Sequence, residues 1–198
     1  MIAAIIPAGG ASERMGAPKA LLSYRGRTFL RAILDACDAL GLERRLVVLG
    51  YDADKILAEM DLSDATVLRN PTPESGPIGS IRAAIGAVLN HPVEGVLVWH
   101  VDRPHVAIAT IETMLDRFRQ GPQPIVVPSY QGRRGHPAVF GRAVFEELLS
   151  GPEDQGARAV VRSDPSRVAV VPVDDPAVTE DIDTPEAYKG LLRREDTR

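Results

Sequence analysis

The stretch that decides the fold is Met1-Ile-Ala-Ala-Ile-Ile-Pro7-Ala-Gly-Gly-Ala-Ser-Glu-Arg14-Met-Gly-Ala-Pro-Lys19, an apolar run followed by a glycine-rich loop. The apolar run has the length of a buried strand. Backbone N–H groups of a glycine-rich loop can approach a phosphate closely, because glycine has no side chain to block the contact. Arg14 and Lys19 add two cations to the same loop. The stretch therefore predicts a nucleoside triphosphate site at the end of the first strand.

The loop matches neither of the two commonest nucleotide-binding loops. A Walker A loop requires a Gly-Lys pair, and the chain contains none. A dinucleotide fingerprint requires G-x-G-x-x-G, which the adjacent Gly9 and Gly10 followed by Gly16 do not fit. The sequence therefore argues against a nicotinamide-dependent oxidoreductase.

Composition narrows the class of protein. The length of 198 residues suits one domain, and a hydrophobic share of 44% is enough for a sizeable core. A net charge of −4 and an aromatic share of 5% argue against a nucleic-acid partner. The single cysteine, Cys37, allows no intrachain disulfide and falls on the apolar face of a helical pattern.

The sequence shows no pattern typical of a signal peptide or of a membrane-spanning segment. The first apolar run has no basic region before it and leads directly into the glycine-rich loop. No apolar segment approaches the ~18 residues that are needed to span a bilayer. We therefore expect a cytoplasmic protein with no membrane partner.

Buried strands and helices alternate along the chain. Continuous Val/Ile/Leu runs indicate strands at 2–6, 45–50, 65–69, 96–101, 125–128 and 168–173. Segments between them, such as 29–40 and 78–89, repeat apolar residues at helical spacing. Strands buried on both faces are typical of a mainly parallel sheet covered by helices. We predict a single three-layer α/β/α domain with a Rossmann-like sheet over residues 1–192, followed by a flexible tail at 193–198.

Ligands of such sheets lie beyond the carboxyl ends of the strands. This rule brings four segments to one edge: the loop 9–19, the Pro-rich loop 70–77, Asp102 and the acidic run 181–183. Asp102 follows an apolar strand, and it is either a metal ligand or the cap of the next helix. Asp181 and Asp183 flank Ile182, and in an extended chain both would point the same way. They form either a second metal ligand or a solvated acidic stretch.

A second basic loop, Gly132-Arg-Arg-Gly-His-Pro137, contains Arg134 and His136. Its side chains either bind an anionic acceptor or form a solvated face. His100 precedes Asp102 by two residues, so that it either orients Asp102 or is a histidine satisfied near the sheet edge. The chain has no G-x-S-x-G nucleophile elbow and no His-x-x-x-His zinc spacing.

Four segments, in this order, carry a resemblance to a known family: Pro7–Lys19, Gly76–Ala84, Gly132–Phe140 and Asp181–Ala187. Together they resemble the nucleotidyltransferases with a glycosyltransferase-A-like fold, and most of all the molybdenum-cofactor cytidylyl- and guanylyltransferases. The resemblance implies that a phosphate on an acceptor attacks the α-phosphorus of an NTP and that pyrophosphate leaves. It also implies Mg²⁺ as the cofactor.

The resemblance assigns roles to individual residues. It implies catalytic roles for Arg14, Lys19 and Asp102. Mg²⁺ would be held by Asp102 together with Asp183 or Asp181. The nucleotide would contact residues of the first loop and of the segment 70–80, namely Ala8, Gly9, Gly10, Ser12, Arg14, Lys19, Asn70, Gly76 and Ser80. The acceptor would contact Arg103, Arg134 and His136.

Two departures from the family pattern bear on specificity. Arg103 follows Asp102 where the family usually has Met or Thr before the proline. The segment 8–10 resembles the guanylyltransferases, whereas 135–137 and 181–183 resemble the cytidylyltransferases. The leading hypothesis is transfer of CMP from CTP to molybdopterin, with GTP as the other candidate donor and a molybdoenzyme or its chaperone as a partner. The alternatives are a sugar phosphate or another small phosphorylated metabolite as acceptor, and a non-catalytic nucleotide-binding protein.

Overall fold

A mainly parallel sheet organises the protein, for which a computed structural model describes residues 1–195. The strands are β1 (Ile2–Ala8), β2 (Ser23–Tyr24), β3 (Arg27–Thr28), β4 (Arg45–Leu49), β5 (Thr66–Arg69), β6 (Gly95–Val98), β7 (Ile125–Tyr130), β8 (Arg133–Arg134), β9 (Ala138–Gly141) and β10 (Val168–Pro172). The helices are α1 (Phe29–Ala39), α2 (Ala53–Glu59), α3 (Pro77–Val88), α4 (Ile108–Gln120), α5 (Phe145–Ser150), α6 (Ala157–Ser163) and α7 (Pro185–Glu195).

The strand order of the main sheet is β10-β7-β9-β6-β1-β4-β5, with β8 paired to β7. Most neighbours are parallel, and β1 pairs in this way with β4 on one side and β6 on the other. The exceptions are β9, which runs antiparallel to β6 and β7, and the short β8. β2 and β3 form a separate hairpin. The mainly parallel sheet predicted from the buried runs is confirmed.

Successive side chains of the strands point to opposite faces of the sheet and pack in two hydrophobic cores, one on each face. In β1, Ala4 and Ile6 pack in one core, whereas Ala3 and Ile5 pack in the other. Helices α1, α2, α4 and α7 cover the first face, and α3, α5 and α6 cover the second. Cys37 is fully buried in the first core, and this burial raises the pKa of its thiol to about 12. The predicted three layers are therefore confirmed.

Some element ends differ from the prediction. β6 stops at Val98, because the chain turns after it and the Trp99 indole donates a hydrogen bond to the carbonyl oxygen of Arg103 at 2.9 Å. The last helix is capped by Thr184, whose Oγ1 accepts a hydrogen bond from the Ala187 amide at 3.2 Å. This helix continues to Glu195, past the predicted domain end, and residues 196–198 of the predicted tail lie outside the described residues. None of the helices within residues 1–195 has the length and apolarity for a membrane span.

The ends of β1 and β4 approach each other closely through two glycines. A Cβ atom added at Gly50 would lie 2.7 Å from the Cα of Gly9 and would overlap the Gly9 carbonyl oxygen. Because these are backbone atoms, a side chain at Gly50 must displace the start of the glycine-rich loop.

We predict that Gly50→Ala lowers the free energy of unfolding by about 1–3 kcal/mol, the usual cost of overpacking, and Tm by roughly 2–12 °C. The matched control is Gly86→Ala on α3, where an added Cβ meets nothing within 4 Å. Because alanine favours a helix over glycine, the control should be neutral or stabilising by up to about 1 kcal/mol. Thermal unfolding of both variants measures the difference, and equal Tm values for them would contradict the prediction.

Candidate active site

A cleft of about 260 Å³ opens at the carboxyl ends of β1, β4 and β6. We call it the central cleft. Its lining contains eight of the nine residues expected to contact a nucleotide, together with two of the expected metal ligands: Ala8, Gly9, Gly10, Ser12, Arg14, Lys19, Gly76, Ser80, Asp102 and Asp183. Segments far apart in the sequence therefore meet at one edge of the sheet, as the fold class predicts.

The first loop is closed by a hydrogen bond within itself. Ser12 has a φ of 50°, a left-handed conformation that is uncommon for a residue other than glycine. Its hydroxyl oxygen accepts a hydrogen bond from the Lys19 amide at 3.2 Å. This bond joins the two ends of the loop and fixes the point at which the Lys19 side chain leaves the backbone.

Lys19 lies between two carboxylates inside the central cleft. Its ammonium group bonds to Oδ1 of Asp183 and stands 3.7 Å from Oδ2 of Asp102. Arg14 contacts the other oxygen of Asp183 at 2.9 Å. The two carboxylates and two cations thus form one ion cluster, which joins the first loop, the end of β6 and the segment before α7.

The two carboxyl groups of this cluster have opposite electrostatic surroundings. Burial raises the pKa of Asp102, and the nearby charges of Lys19 and Arg103 only partly oppose this effect. Burial acts in the same direction on Asp183, but its hydrogen bonds and charge interactions with Lys19 and Arg14 prevail and lower its pKa. Oδ1 of Asp102 is buried and accepts no hydrogen bond within the described chain.

These residues fit a divalent cation. Oδ1 of Asp102, which accepts no hydrogen bond from the described residues and lies 4.0 Å from Nε of Arg103, and the neighbouring Asp183 offer hard oxygen ligands, the kind that Mg²⁺ prefers. No three His, Cys, Asp or Glu side chains of residues 1–195 form a complete metal cage. Mg²⁺ commonly binds through one or two carboxylates plus phosphates and water, so two carboxylates suffice.

Asp181 does not share the position of Asp183. Ile182 between them is buried, and Asp181 lines a separate surface depression with Ala187 and Arg194. Of the two, only Asp183 therefore lines the central cleft together with Asp102.

Asn70, the ninth residue expected to contact a nucleotide, is absent from the cleft lining. Its side chain is buried, and its amide donates to the Ser80 hydroxyl at 3.2 Å. Its oxygen accepts from the Thr72 amide at 3.0 Å. These bonds tie the loop 70–76 to α3, so that Asn70 supports Ser80 from behind.

A second cavity of about 680 Å³ adjoins the central cleft, and we call it the basic cavity. Pro77 and His100 line both spaces, so they form the wall between them. The three residues expected to contact the acceptor, Arg103, Arg134 and His136, all line the basic cavity. The structure thus places the expected acceptor residues beside the expected nucleotide residues.

Two uncharged histidines stand at the junction of the two spaces. The rings of His100 and His136 pack edge to face, with centroids 5.1 Å apart. Burial lowers the pKa of His100 to about 4 and that of His136 to about 3. At neutral pH both rings are therefore neutral, and they offer hydrogen bonds without charge.

Arg103 is bound mainly to the protein backbone. One terminal nitrogen of its guanidinium group lies 3.3, 3.0 and 2.7 Å from the carbonyl oxygens of Ala177, Val178 and Glu180. The Ile182 amide also donates to the carbonyl oxygen of Asp102 at 3.0 Å. Although Arg103 borders the basic cavity, these contacts make it a tie that holds the segment before Asp183 against the end of β6.

Some lining residues were missed by sequence reasoning. Asp52 lines the central cleft just after β4, and the rule that ligands lie beyond strand ends could have found it. Arg158 and Arg162 line the basic cavity from α6. Nothing in the sequence distinguishes these two from ordinary charges on a helix surface.

We predict that Arg103→Met lowers the free energy of unfolding by about 2–4 kcal/mol, because three carbonyl oxygens lose a charged donor. The segment 177–183 should also exchange its amide hydrogens faster, which mass spectrometry can measure. The control is Arg119→Met on the exposed surface of α4, which should change stability by less than about 0.5 kcal/mol. Unchanged exchange at 177–183 would contradict the role of Arg103 as a tie.

We predict that acid destabilises the protein partly through His136. Its pKa in the folded state is about 3, whereas an ordinary histidine has a pKa near 6.5. As the pH falls from about 6.5 towards 4, the unfolded chain takes up a proton that the folded chain refuses. The free energy of unfolding therefore falls, by up to about 1.4 kcal/mol per pH unit.

Urea unfolding at pH 7, 6 and 5 measures this slope. His136→Gln should flatten it, and His91→Gln at an exposed position should leave it unchanged. Equal slopes for the wild type and His136→Gln would contradict the prediction, because they would show that folding does not change the pKa of His136.

Comparison with known proteins agrees with this geometry. Residues 4–168 match the MobA-like NTP transferase domain family. The nicotine blue oxidoreductase of Paenarthrobacter nicotinovorans is 32% identical over an alignment of 202 positions, gaps included, which covers 96% of each chain. The molybdenum cofactor cytidylyltransferase of Escherichia coli K12 is 26% identical over 190 residues, which cover 93% of this chain and 92% of that one.

Solved structures extend the comparison. Rv0371c of Mycobacterium tuberculosis H37Rv is 35% identical, with a TM-score of 0.84 and 97% of each chain covered. A structure of Rv0371c in complex with manganese is 30% identical with a TM-score of 0.74, covering 97% of this chain and 98% of that one. The resemblance found in the sequence is thereby confirmed. With its glycosyltransferase-A-like fold and a match over most of its length, the chain belongs to the MobA-like NTP transferase family of nucleotidyltransferases.

Proposed function

We propose that the protein transfers a nucleotidyl group from an NTP in the central cleft to a phosphorylated small molecule in the basic cavity. The observation that carries this proposal is the position of Lys19, held between Asp102 and Asp183 in a cleft that shares a wall with the basic cavity. Cations and carboxylates therefore surround the place where a triphosphate would meet an acceptor.

In this reaction an oxygen of the acceptor phosphate forms a bond to the α-phosphorus of the NTP. The bond from that phosphorus to the bridging oxygen of the β-phosphate breaks, and pyrophosphate leaves. Lys19 and Arg14 stabilise the negative charge that collects on the phosphate oxygens. Because such a transfer depends on positioning and electrostatics, it needs no protein nucleophile.

We propose Mg²⁺ as the cofactor, held by Asp102 and Asp183. When bound, the ion would neutralise charge on the phosphate oxygens and help to orient them. The buried oxygen of Asp102 that accepts no hydrogen bond from the described residues supports this assignment, as does the manganese complex of the relative Rv0371c. For Asp183 to act as a ligand, its contact with Lys19 must rearrange, which would leave the ammonium group available to a phosphate.

Our preferred substrates are CTP and molybdopterin, with GTP as the second donor. Support comes from the E. coli relative, a molybdenum cofactor cytidylyltransferase, and from the segments 135–137 and 181–183. A molybdoenzyme or its chaperone would then receive the product. A cytoplasmic location and a sugar phosphate as alternative acceptor stay predictions.

An oxidoreductase is the competing function, because the P. nicotinovorans relative bears that name. The first loop of this chain does not fit the dinucleotide fingerprint, and two carboxylates and two cations gather where a triphosphate would fit. These features support group transfer rather than hydride transfer. The decisive experiment must nevertheless include a nicotinamide arm.

We predict pyrophosphate release when the protein is incubated with Mg²⁺, an NTP and a suitable acceptor. The panel combines CTP and GTP with molybdopterin and several sugar phosphates, and a parallel arm follows NADH and NADPH oxidation with nicotine blue. Asp102→Asn should lower the rate by about 10²–10³, because one of the two carboxylates that would hold Mg²⁺ beside the phosphates is lost. Its Tm should change little, because removing a charge whose burial is unfavourable offsets the loss of the 3.7 Å contact with Lys19.

The matched control is Asp174→Asn, an exposed carboxylate outside both spaces. It should retain the wild-type rate. Full activity of Asp102→Asn would remove Asp102 from the reaction. NAD(P)H oxidation without pyrophosphate release would show that the protein is an oxidoreductase and not a transferase. NTP binding without pyrophosphate release for any acceptor would identify a nucleotide-binding protein.

A further inference from the structure

The rim of the basic cavity carries four arginines on two facing elements. Arg133 and Arg134 form β8, and Arg158 and Arg162 lie on α6. All four are exposed, and no described hydrogen bond or ion pair involves their side chains. Arg134 is among the residues expected to contact the acceptor, but the function proposed above requires only that one acceptor phosphate reach the wall at Pro77 and His100. It gives no reason for four arginines at the rim.

The positive charge of this rim contrasts with the rest of the chain. The protein as a whole has a net charge of −4, yet the cavity lining contains these four arginines and Arg103 against only two acidic residues. One of the acids, Glu153, is paired with Arg82 at 2.9 Å. A concave site with an excess of one charge attracts ligands of the opposite charge.

The arrangement on α6 is unfavourable without a ligand. Arg158 and Arg162 are four residues apart, so they lie on the same face of the helix, where like charges repel. Arg133 and Arg134 add two further cations across the cavity. An anionic group bound between the two elements would remove this repulsion and would accept several charged hydrogen bonds.

The interior of the basic cavity is apolar. Its lining includes Ile78 and Ile81 from α3, Val127 from β7, Phe140 from β9 and Val161 from α6. Such a surface binds the flat or apolar body of a ligand rather than a chain of hydroxyl groups. The cavity therefore combines an apolar interior, a cationic rim and, at its junction with the central cleft, two neutral histidines.

We propose that the acceptor has an apolar, ring-like body and at least two anionic groups. One anionic group receives the nucleotide, and the others are bound by the four arginines of the rim, Arg133, Arg134, Arg158 and Arg162. This inference rests on the proposed function for the group at the wall, which is the phosphate that attacks. The neutral wall and the cationic rim then have different tasks. The rim supplies most of the attraction, and the wall leaves the attacking phosphate without a tight cationic partner.

The test measures binding without catalysis. The probes are 1-pyrenesulfonate, with one anionic group, and 1,3,6,8-pyrenetetrasulfonate, with four on the same apolar body. Fluorescence anisotropy gives the Kd of each for the 198-residue chain with its central cleft saturated by CTP. We expect the tetrasulfonate to bind at least about tenfold more tightly than the monosulfonate, because each charged hydrogen bond adds substantially to affinity.

The variant Arg158→Gln/Arg162→Gln should weaken tetrasulfonate binding by about tenfold or more, with little effect on the monosulfonate or on CTP. Arg44→Gln/Arg119→Gln removes the same charge outside both spaces and should leave all three affinities nearly unchanged. If the α6 variant does not fold, as judged by Tm, Arg133→Gln/Arg134→Gln replaces it with the same expectation.

Equal affinities for the two probes would overturn the proposal, as would an equal loss in the α6 and control variants. The outcome is separable from that of the proposed function. A protein that discriminates between the probes but releases no pyrophosphate keeps its polyanion site and loses the transfer reaction. A protein that releases pyrophosphate but does not discriminate keeps the reaction and loses the rim.

Discussion

The contact of Lys19 with Asp183 and Asp102 is the interaction on which the site depends. It joins residues 164 positions apart in the sequence and brings the glycine-rich loop against the last segment before α7. Without a cation between them, the partly buried carboxylates of Asp102 and Asp183 would repel each other. The charged groups that would bind a triphosphate and its metal ion therefore also hold distant segments of the protein together. The same contacts both assemble the site and place these groups for substrate binding.

A second set of contacts stabilises this arrangement from outside the cleft. Arg103 binds three carbonyl oxygens of the segment 177–180, and the Ile182 amide donates to the carbonyl oxygen of Asp102. These bonds fix where Asp183 stands relative to the sheet. An arginine directly after Asp102 departs from the usual family pattern, yet here it has a clear structural role. It binds the segment before Asp183 to the turn that follows β6.

Much of the fold and of the central cleft could be predicted from the sequence, because both depend on local patterns. Continuous apolar runs indicated the parallel strands, and the pattern of the first loop predicted residues that line the central cleft. The errors concern contacts between distant segments. The sequence does not show that the Asn70 side chain turns towards Ser80, or that α6 carries two arginines to the acceptor side. Such facts follow from packing, which no short motif encodes.

The antiparallel direction of β9 has a consequence for how the two halves of the site can change independently. Because β9 runs against β6 and β7, its first residues, rather than its last, reach the edge where the parallel strands end. The short connection 131–137 therefore lines the basic cavity on this side, whereas the loops after β1 and β4 line the central cleft. Insertions or deletions in that single connection would resize the basic cavity and leave the central cleft unchanged, so that the two spaces can vary independently of each other.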